Sequence, residues 1–380
     1  MSSRPKGNPG GTARSGDTIE LIDTPALCID ADCLEANIER MARFGREVPI
    51  GIRPHAKAHK TPIVARMQLA AGAVGICCSK LGEAEAMVAG GIDDVLITGE
   101  IVGTVKVARL VAIARNARIT VAVDNAGAAE QMSAAAASAN VNIDVVVDVD
   151  VGHGRCGVLP GRPAVELAEV LARLPAIRLR GLQGYQGKIQ HLAGYAIRAA
   201  AGREASGRLV ETREEFIRRG LPVEIVTGAG TGTYESESRR GGMTDIQPGS
   251  YIFMDREYVE IGGSDGPVFG DFIPALSVLA TVISVPSSDR VVIDAGIKSL
   301  STDAGPAIAL DLPGWQYVPY GDEHGVLIRT GSEPQPKLGD VVRLLPGHCD
   351  TTVNLYDRFH VTRAGELVDI WPISARGRSQ

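Results

Sequence analysis

Aromatic residues make up only 4% of this 380-residue chain, while alanine and glycine are plentiful. That balance favours tightly packed α/β layers over an aromatic-rich β-sandwich. Cysteine is sparse as well: six residues, at 28, 33, 77, 78, 156 and 349, with no CxxC pair. A disulfide scaffold is thereby excluded, and free thiols in a reducing cytosol are expected. Cys77 and Cys78 are adjacent, so along a strand their side chains would leave on opposite faces. There is no excess of positive charge. Thirty-nine Lys and Arg stand against 45 Asp and Glu, a net −6, which argues against a dedicated nucleic-acid binder or a basic membrane-surface protein. No apolar run approaches the roughly 18 residues that span a bilayer. The first 18 residues lack an apolar stretch, so no secretory signal is expected, and residues 1–20 read as a disordered tail.

What is present is alternation. Apolar runs at Ile50–Pro54, Val74–Ser79, Val95–Thr98, Ile119–Val123, Ile143–Asp148, Leu179–Gln183, Ile225–Thr227 and Tyr251–Phe253 are separated by helix-like segments, among them Thr61–Leu69, Ala126–Ala137 and Arg198–Arg219. Runs that are apolar throughout suit strands buried on both faces, and eight strand–helix units over about 220 residues predict a parallel (β/α)₈ barrel. An earlier run, Ala26–Asp30, precedes a helix-like stretch at Leu34–Phe44, with Asp30 or Asp32 as its cap. After about Gly270 the texture changes to short β-like runs between Gly, Pro and Asp turns, at Ala275–Val285, Val291–Asp294, Val341–Leu345, His360–Thr362 and Leu367–Trp371. The expected organisation is α/β: a barrel over 21–265, with its first strand open to joining the other domain, and a mostly β domain over 266–380.

Polar residues cluster just after the barrel strands, where the active sites of such barrels lie. Arg53-Pro-His-Ala-Lys-Ala-His-Lys60 follows the first strand. It reads either as a solvated charged loop or as a ring around the barrel mouth. A lysine whose pKa is lowered from about 10.4 by cations or burial forms imines readily, and Lys57 at the strand end suits that better than Lys60. Thr227-Gly-Ala-Gly-Thr-Gly-Thr233 follows the seventh strand, and Pro248-Gly-Ser250 lies near the eighth. Both suit a phosphate, or are simply tight turns; without GK[ST] neither is a nucleotide P-loop. Arg155 follows the fifth strand, to bind an anionic oxygen or to pair with Asp148 or Asp150. In Pro346-Gly-His-Cys-Asp350, an extended backbone would place His348 and Asp350 on one face, able to chelate Zn²⁺ or Mn²⁺ or standing there incidentally. Asp322-Glu-His-Gly325 is a further polar cluster.

Taken in order, RPHAKAHK, GICCSK, DVGHGRCGV, GLQGYQG, TGAGTGT, QPGSYIFMD, PGHCD and WPISARG resemble the D-threonine aldolase group of the fold-type III pyridoxal-phosphate enzymes. These are relatives of alanine racemase and of eukaryotic-type D-serine dehydratase, and the resemblance runs from about Asp23 to Arg376. It implies a barrel holding pyridoxal 5'-phosphate, a β domain and a head-to-tail homodimer in the cytoplasm. It implies Lys57 as the Schiff-base lysine, Arg155 at the cofactor's phenolic oxygen, Tyr185 against the pyridine ring, and Gly230, Thr231, Gly249, Ser250 and Tyr251 at the phosphate. It also implies His348 and Asp350 as ligands of a divalent metal such as Mn²⁺ or Mg²⁺, with His191 or His59 as base. The implied reaction is retro-aldol cleavage of a D-β-hydroxy amino acid to glycine and an aldehyde. The alternatives are a 3-hydroxy-D-aspartate aldolase, a D-serine dehydratase, a racemase or a non-catalytic cofactor carrier. The chain departs from the family pattern at Ser79, where a glutamine is expected.

Overall fold

The computed structural model describes residues 13–380. The tail expected over 1–20 lies outside the described residues as far as residue 12. From Gly16 the chain is bonded in place: Gly16 N–H donates to Leu367 O (2.8 Å) and Ile19 N–H to Gly365 O (3.1 Å), so any such tail ends earlier than expected. The chain divides into two compact units.

In chain order the first half holds β1 (Ala26–Asp30), α1 (Ala31–Glu47), β2 (Gly51–Ile52), α2 (Pro62–Ala70), β3 (Ile76–Cys78), α3 (Leu81–Ala89), β4 (Asp94–Ile97), α4 (Thr104–Ile113), β5 (Arg118–Val123), α5 (Ala126–Ser138), β6 (Ile143–Asp148), α6 (Arg162–Leu171), β7 (Ile177–Gly184), α7 (Tyr195–Arg218), β8 (Ile225–Gly228), α8 (Tyr234–Ser238) and β9 (Asp245–Ile246). Local chemistry sets several boundaries. Asp30 Oδ1 accepts from Cys33 N–H (3.0 Å) where α1 begins. Thr61 caps α2, with Pro62 in its first turn, and Asn125 Oδ1 caps α5 through Ala128 N–H (3.1 Å).

The unit comprising residues 38–251, 260–270 and 377–380 is the barrel. Its parallel strands run in the order β2-β9-β8-β7-β6-β5-β4-β3. The two ends of this sheet meet: a bridge joins His55 to Cys77, and Ala56 N–H donates to Cys77 O (2.7 Å). Cys77, Leu96, Ala122, Val146 and Ile225, from five different strands, pack in one cluster, as residues lining the inside of a barrel do. Charges of Arg53 and Asp245 act on Cys77, whereas those of Glu83 and Lys60 act on Cys78, so the adjacent thiols do face opposite ways. The eighth strand is not the apolar run Tyr251–Phe253, whose Tyr251 and Ile252 lie in a 3₁₀ turn, but the two-residue Asp245–Ile246. Buried Arg53 explains how a carboxylate sits there: it reaches Asp94 (2.6 Å) and Asp245 (3.7 Å), tying the segments around β2, β4 and β9.

The other unit takes the described residues up to Asn37, Ile252–Val259 and Asp271–Arg376. It contains α9 (Arg256–Val259), β10 (Leu276–Ser287), β11 (Arg290–Ile293), β12 (Ile308–Ala309), β13 (Trp315–Pro319), β14 (Gly325–Arg329), β15 (Val341–Leu345), α10 (Cys349–Val353), β16 (Arg358–Arg363) and β17 (Glu366–Pro372). The first strand does join this unit: β1 pairs antiparallel with β10 and parallel with β16. Ile22, Ala26, Cys28, Leu279 and Leu367 form part of its core. All six cysteines are free. No helix among the described residues is long and apolar enough to cross a membrane.

Candidate active site and candidate metal centre

At the carboxyl end of β2 the chain turns tightly, with Lys60 N–H donating to Ala56 O (2.7 Å). The two lysines of this turn have different surroundings. Lys60 Nζ donates to Glu83 Oε1 (2.6 Å), and both side chains are over nine-tenths buried. Glu83 Oε2 in turn accepts from Ser79 N–H (2.9 Å), so this ion pair braces the start of α3. Lys57 is half-buried at the rim. Its N–H donates to His55 Nδ1 (3.3 Å), and His55 Nε2 lies 3.2 Å from Thr98 Oγ1 and 3.4 Å from Ser79 Oγ. His55 thus links the ends of β2, β3 and β4, and the departure at Ser79 puts a hydroxyl beside it. His59 is fully buried, with Nδ1 accepting from Thr61 N–H (3.2 Å).

The turn is bonded to the loop after β9, since His55 N–H donates to Pro248 O (3.0 Å). A Cβ on Gly249 would stand 3.4 Å from that of His55. Ser250 and Tyr251 are buried, and Tyr251 N–H donates to Thr231 Oγ1 (3.1 Å), joining the loops after β8 and β9. Gln68 Nε2 donates to the Tyr251 hydroxyl (3.0 Å). The loop after β8 is shaped by Gln190: its Oε1 accepts from Gly232 N–H (3.0 Å), and its Nε2 donates to Thr233 Oγ1 (2.9 Å). A Cβ at Gly230 would come within 2.6 Å of Gln190 Oε1, and one at Gly232 within 2.0 Å of Gln190 O. Only glycine leaves this backbone open. Tyr185, half-buried after β7, flanks Gly230 and meets the His153 ring edge-on at 6.2 Å. His191, also half-buried, follows Gln190. The predicted rim residues of the loops after β2, β7, β8 and β9 are therefore one continuous chain of contacts.

Arg155 is exposed on the loop after β6. Its two possible carboxylate partners are engaged elsewhere: Asp148 Oδ1 accepts from Gln183 Nε2 (2.9 Å), and Asp150 Oδ1 from the N–H groups of Gly152 (2.9 Å) and Gly154 (3.0 Å). Next to them is an acidic group that sequence reasoning missed. Ligand atoms of Glu100, Asp124 and Cys156 lie within 4.8 Å of one another, the one such group of three among the described residues. Burial, with the charges of Glu100 and Asp124 added, pushes Asp148 up to about 7 against the Gln183 hydrogen bond. Asp124 follows β5 directly and Glu100 lies three residues past β4, so the rule that singled out Lys57, residues just past strand ends, would have singled them out too.

The predicted metal pair lies in the strand-rich unit, and its backbone is extended at His348 but helical at Asp350. His348 is the residue before α10 and Asp350 stands in that helix's first turn. Cys349 between them is fully buried, and its N–H donates to Asp255 Oδ2 (2.8 Å). His348 Nδ1 lies 2.7 Å from Asp303 Oδ2, and Nε2 has no hydrogen-bond partner among the described residues. Burial alone would lower the imidazole pKa, but Asp350, the Asp303 hydrogen bond and the charge of Asp255 outweigh it and hold it above the usual range. Glu257 is a fourth carboxylate in this field. Imidazole among carboxylates is a donor set for a borderline or hard divalent ion. Asp322 and Glu323 form an exposed cluster with Lys298 and lie outside this site.

The family model described as alanine racemase, N-terminal domain, matches residues 29–257, and a serine dehydratase domain matches residues 275–362. The chain is 44% identical to a D-threonine aldolase of an Arthrobacter species over 97% of this chain and 96% of that one. It is 37% identical to a 3-hydroxy-D-aspartate aldolase of Paracoccus denitrificans strain Pd 1222, over 94% and 93%. The crystal structure of a D-threonine aldolase from Filomicrobium marinum superposes with a TM-score of 0.93 at 39% identity, over 97% of this chain and 99% of that one.

Proposed function

The chain belongs to the D-threonine aldolase group of the fold-type III pyridoxal-phosphate enzymes, and from that premise we propose a metal-dependent aldolase that cleaves D-β-hydroxy amino acids of the D-threonine or D-allo-threonine type to glycine and an aldehyde. The observation that carries the reading is the turn after β2, which His55 N–H bonds to Pro248 O of the glycine-opened loops after β8 and β9: it buries Lys60 against Glu83 and keeps Lys57 half-buried at the rim. Those loops fit a phosphate, and Lys57 fits a carbonyl-bearing ring held next to it.

When bound, pyridoxal phosphate supplies an electrophilic carbon for an amine and a conjugated ring that accepts the electron pair left when Cα–Cβ breaks. Lys57 would hold it through Nζ and give way to the substrate amine. Gly230, Thr231, Gly249, Ser250 and Tyr251 would hold the phosphate, Arg155 the phenolic oxygen and Tyr185 one face of the ring. His348 and Asp350 would hold a divalent cation, Mn²⁺ or Mg²⁺, whose chemistry is to acidify a bound hydroxyl. Of the two candidate bases for the β-hydroxyl proton, His191 is the more accessible; His59 is enclosed, with Nδ1 occupied by Thr61. The homodimer and the cytoplasmic location are parts of the same reading, the latter supported by six free thiols.

The test is incubation of the purified protein with pyridoxal phosphate, Mn²⁺ and a panel of D-β-hydroxy amino acids that includes 3-hydroxy-D-aspartate and D-serine. Glycine from D-threonine or D-allo-threonine is the expected result. Glycine from 3-hydroxy-D-aspartate alone would select the other aldolase, and pyruvate from D-serine a dehydratase.

A further inference from the structure

The backbone around His348 is held from both sides. Arg256 N–H donates to Pro346 O (3.0 Å) and Glu257 N–H to Gly347 O (3.2 Å), while Asp255 fixes Cys349 N–H. What this leaves open is the rotation and tautomer of the imidazole. A neutral imidazole has one N–H and one lone pair, and only the lone pair binds a metal. An ionised carboxylate accepts hydrogen bonds and donates none, so Asp303 Oδ2 at 2.7 Å places the proton on Nδ1 and the lone pair on Nε2.

Asp303 is itself fixed. Its Oδ1 accepts from the Ser301 hydroxyl (2.6 Å) and from the Thr351 hydroxyl (2.9 Å), one of them on its own loop and the other on α10. Ser301 N–H also donates to Thr352 Oγ1 (3.3 Å), which ties the same loop to the same helix a second time.

We propose that Asp303 is the positioning residue of the metal site, holding His348 with Nε2 presented to a divalent cation that Asp350 shares. The proposal rests on the metal reading above and deepens it. A carboxylate behind a ligating histidine fixes ring orientation and raises ligand basicity, and loss of such a group lowers metal affinity about 10–100-fold.

The test is titration of Mn²⁺ into protein stripped of metal by chelator but still carrying its pyridoxal phosphate, with free Mn²⁺ read by electron paramagnetic resonance. Asp303→Ala should raise the Kd about 10–100-fold, with cofactor absorbance and the metal-free melting temperature unchanged. Asp303→Asn keeps an oxygen for the Nδ1 proton without the charge and should raise it less, about 10-fold; it decides the matter if the alanine variant does not fold. A Kd for either folded variant within about twofold of the parent, while His348→Ala abolishes binding, would overturn the role of Asp303 and leave the metal site standing. Unchanged binding in His348→Ala would instead remove the metal site itself.

Discussion

At the scale of single residues, Lys57 and Lys60 have opposite fates. Lys60→Ala leaves Glu83 buried without its partner and should cost about 3–5 kcal/mol in urea unfolding. Lys57→Ala should melt like the parent yet release no glycine above background; full turnover in that variant would end the proposal. Both lysines were visible in RPHAKAHK, but their difference was not, because Glu83 lies 23 positions away along the chain. Glu237 supplies a pH test. It is fully buried, accepts from the Thr233 hydroxyl, and is pushed by burial from 4.5 up to about 8. The folded protein therefore binds a proton that the unfolded chain releases above about pH 4.5, so this group takes stability away as pH rises through that window and no more above about 8. Glu237→Gln should gain in melting temperature relative to the parent between those limits, and a pH-independent difference would contradict the assignment.

At the scale of elements, repetition was legible and brevity was not. The central strands are four to eight residues long, with apolar runs inside them set between helices, and that alternation identified them. The closing strand is two residues long, one of them an aspartate that makes sense only beside Arg53, and an apolar run nearby drew the assignment away. Strands β12, β13 and β14 were passed over for a similar reason, being short or interrupted by Gln, Pro and Gly between turns. His348 and Asp350 were read on one extended stretch, whereas the extended backbone stops at His348 and Asp350 stands in the first turn of α10, a helix too short for any sequence period to mark. The loop after β8 gives the element-scale prediction. Gly232→Ala drives a methyl to 2.0 Å from the Gln190 carbonyl, so the loop must move off its template. Absorbance titration should show at least about tenfold weaker binding of pyridoxal phosphate, whereas parental affinity would mean the loop does not hold it.

For the whole molecule, the motifs lie in one order from Arg53 to Gly377, so the family was readable without a structure, while the couplings around His55, Gln190, Asp303 and the Glu100–Asp124–Cys156 group were not. Those couplings join residues far apart along the chain, and no local pattern encodes them. Each proposed site is built within one unit, the cofactor's in the barrel and the metal's among the antiparallel strands. Chelator should therefore abolish glycine formation and leave the absorbance of bound cofactor intact; loss of both would make the metal structural. The most direct measurement uses the chain's eight lysines. Borohydride reduction of the protein with pyridoxal phosphate, followed by peptide mapping, should place the pyridoxyl group on Lys57 alone, and a label on another lysine, or none, would contradict the account.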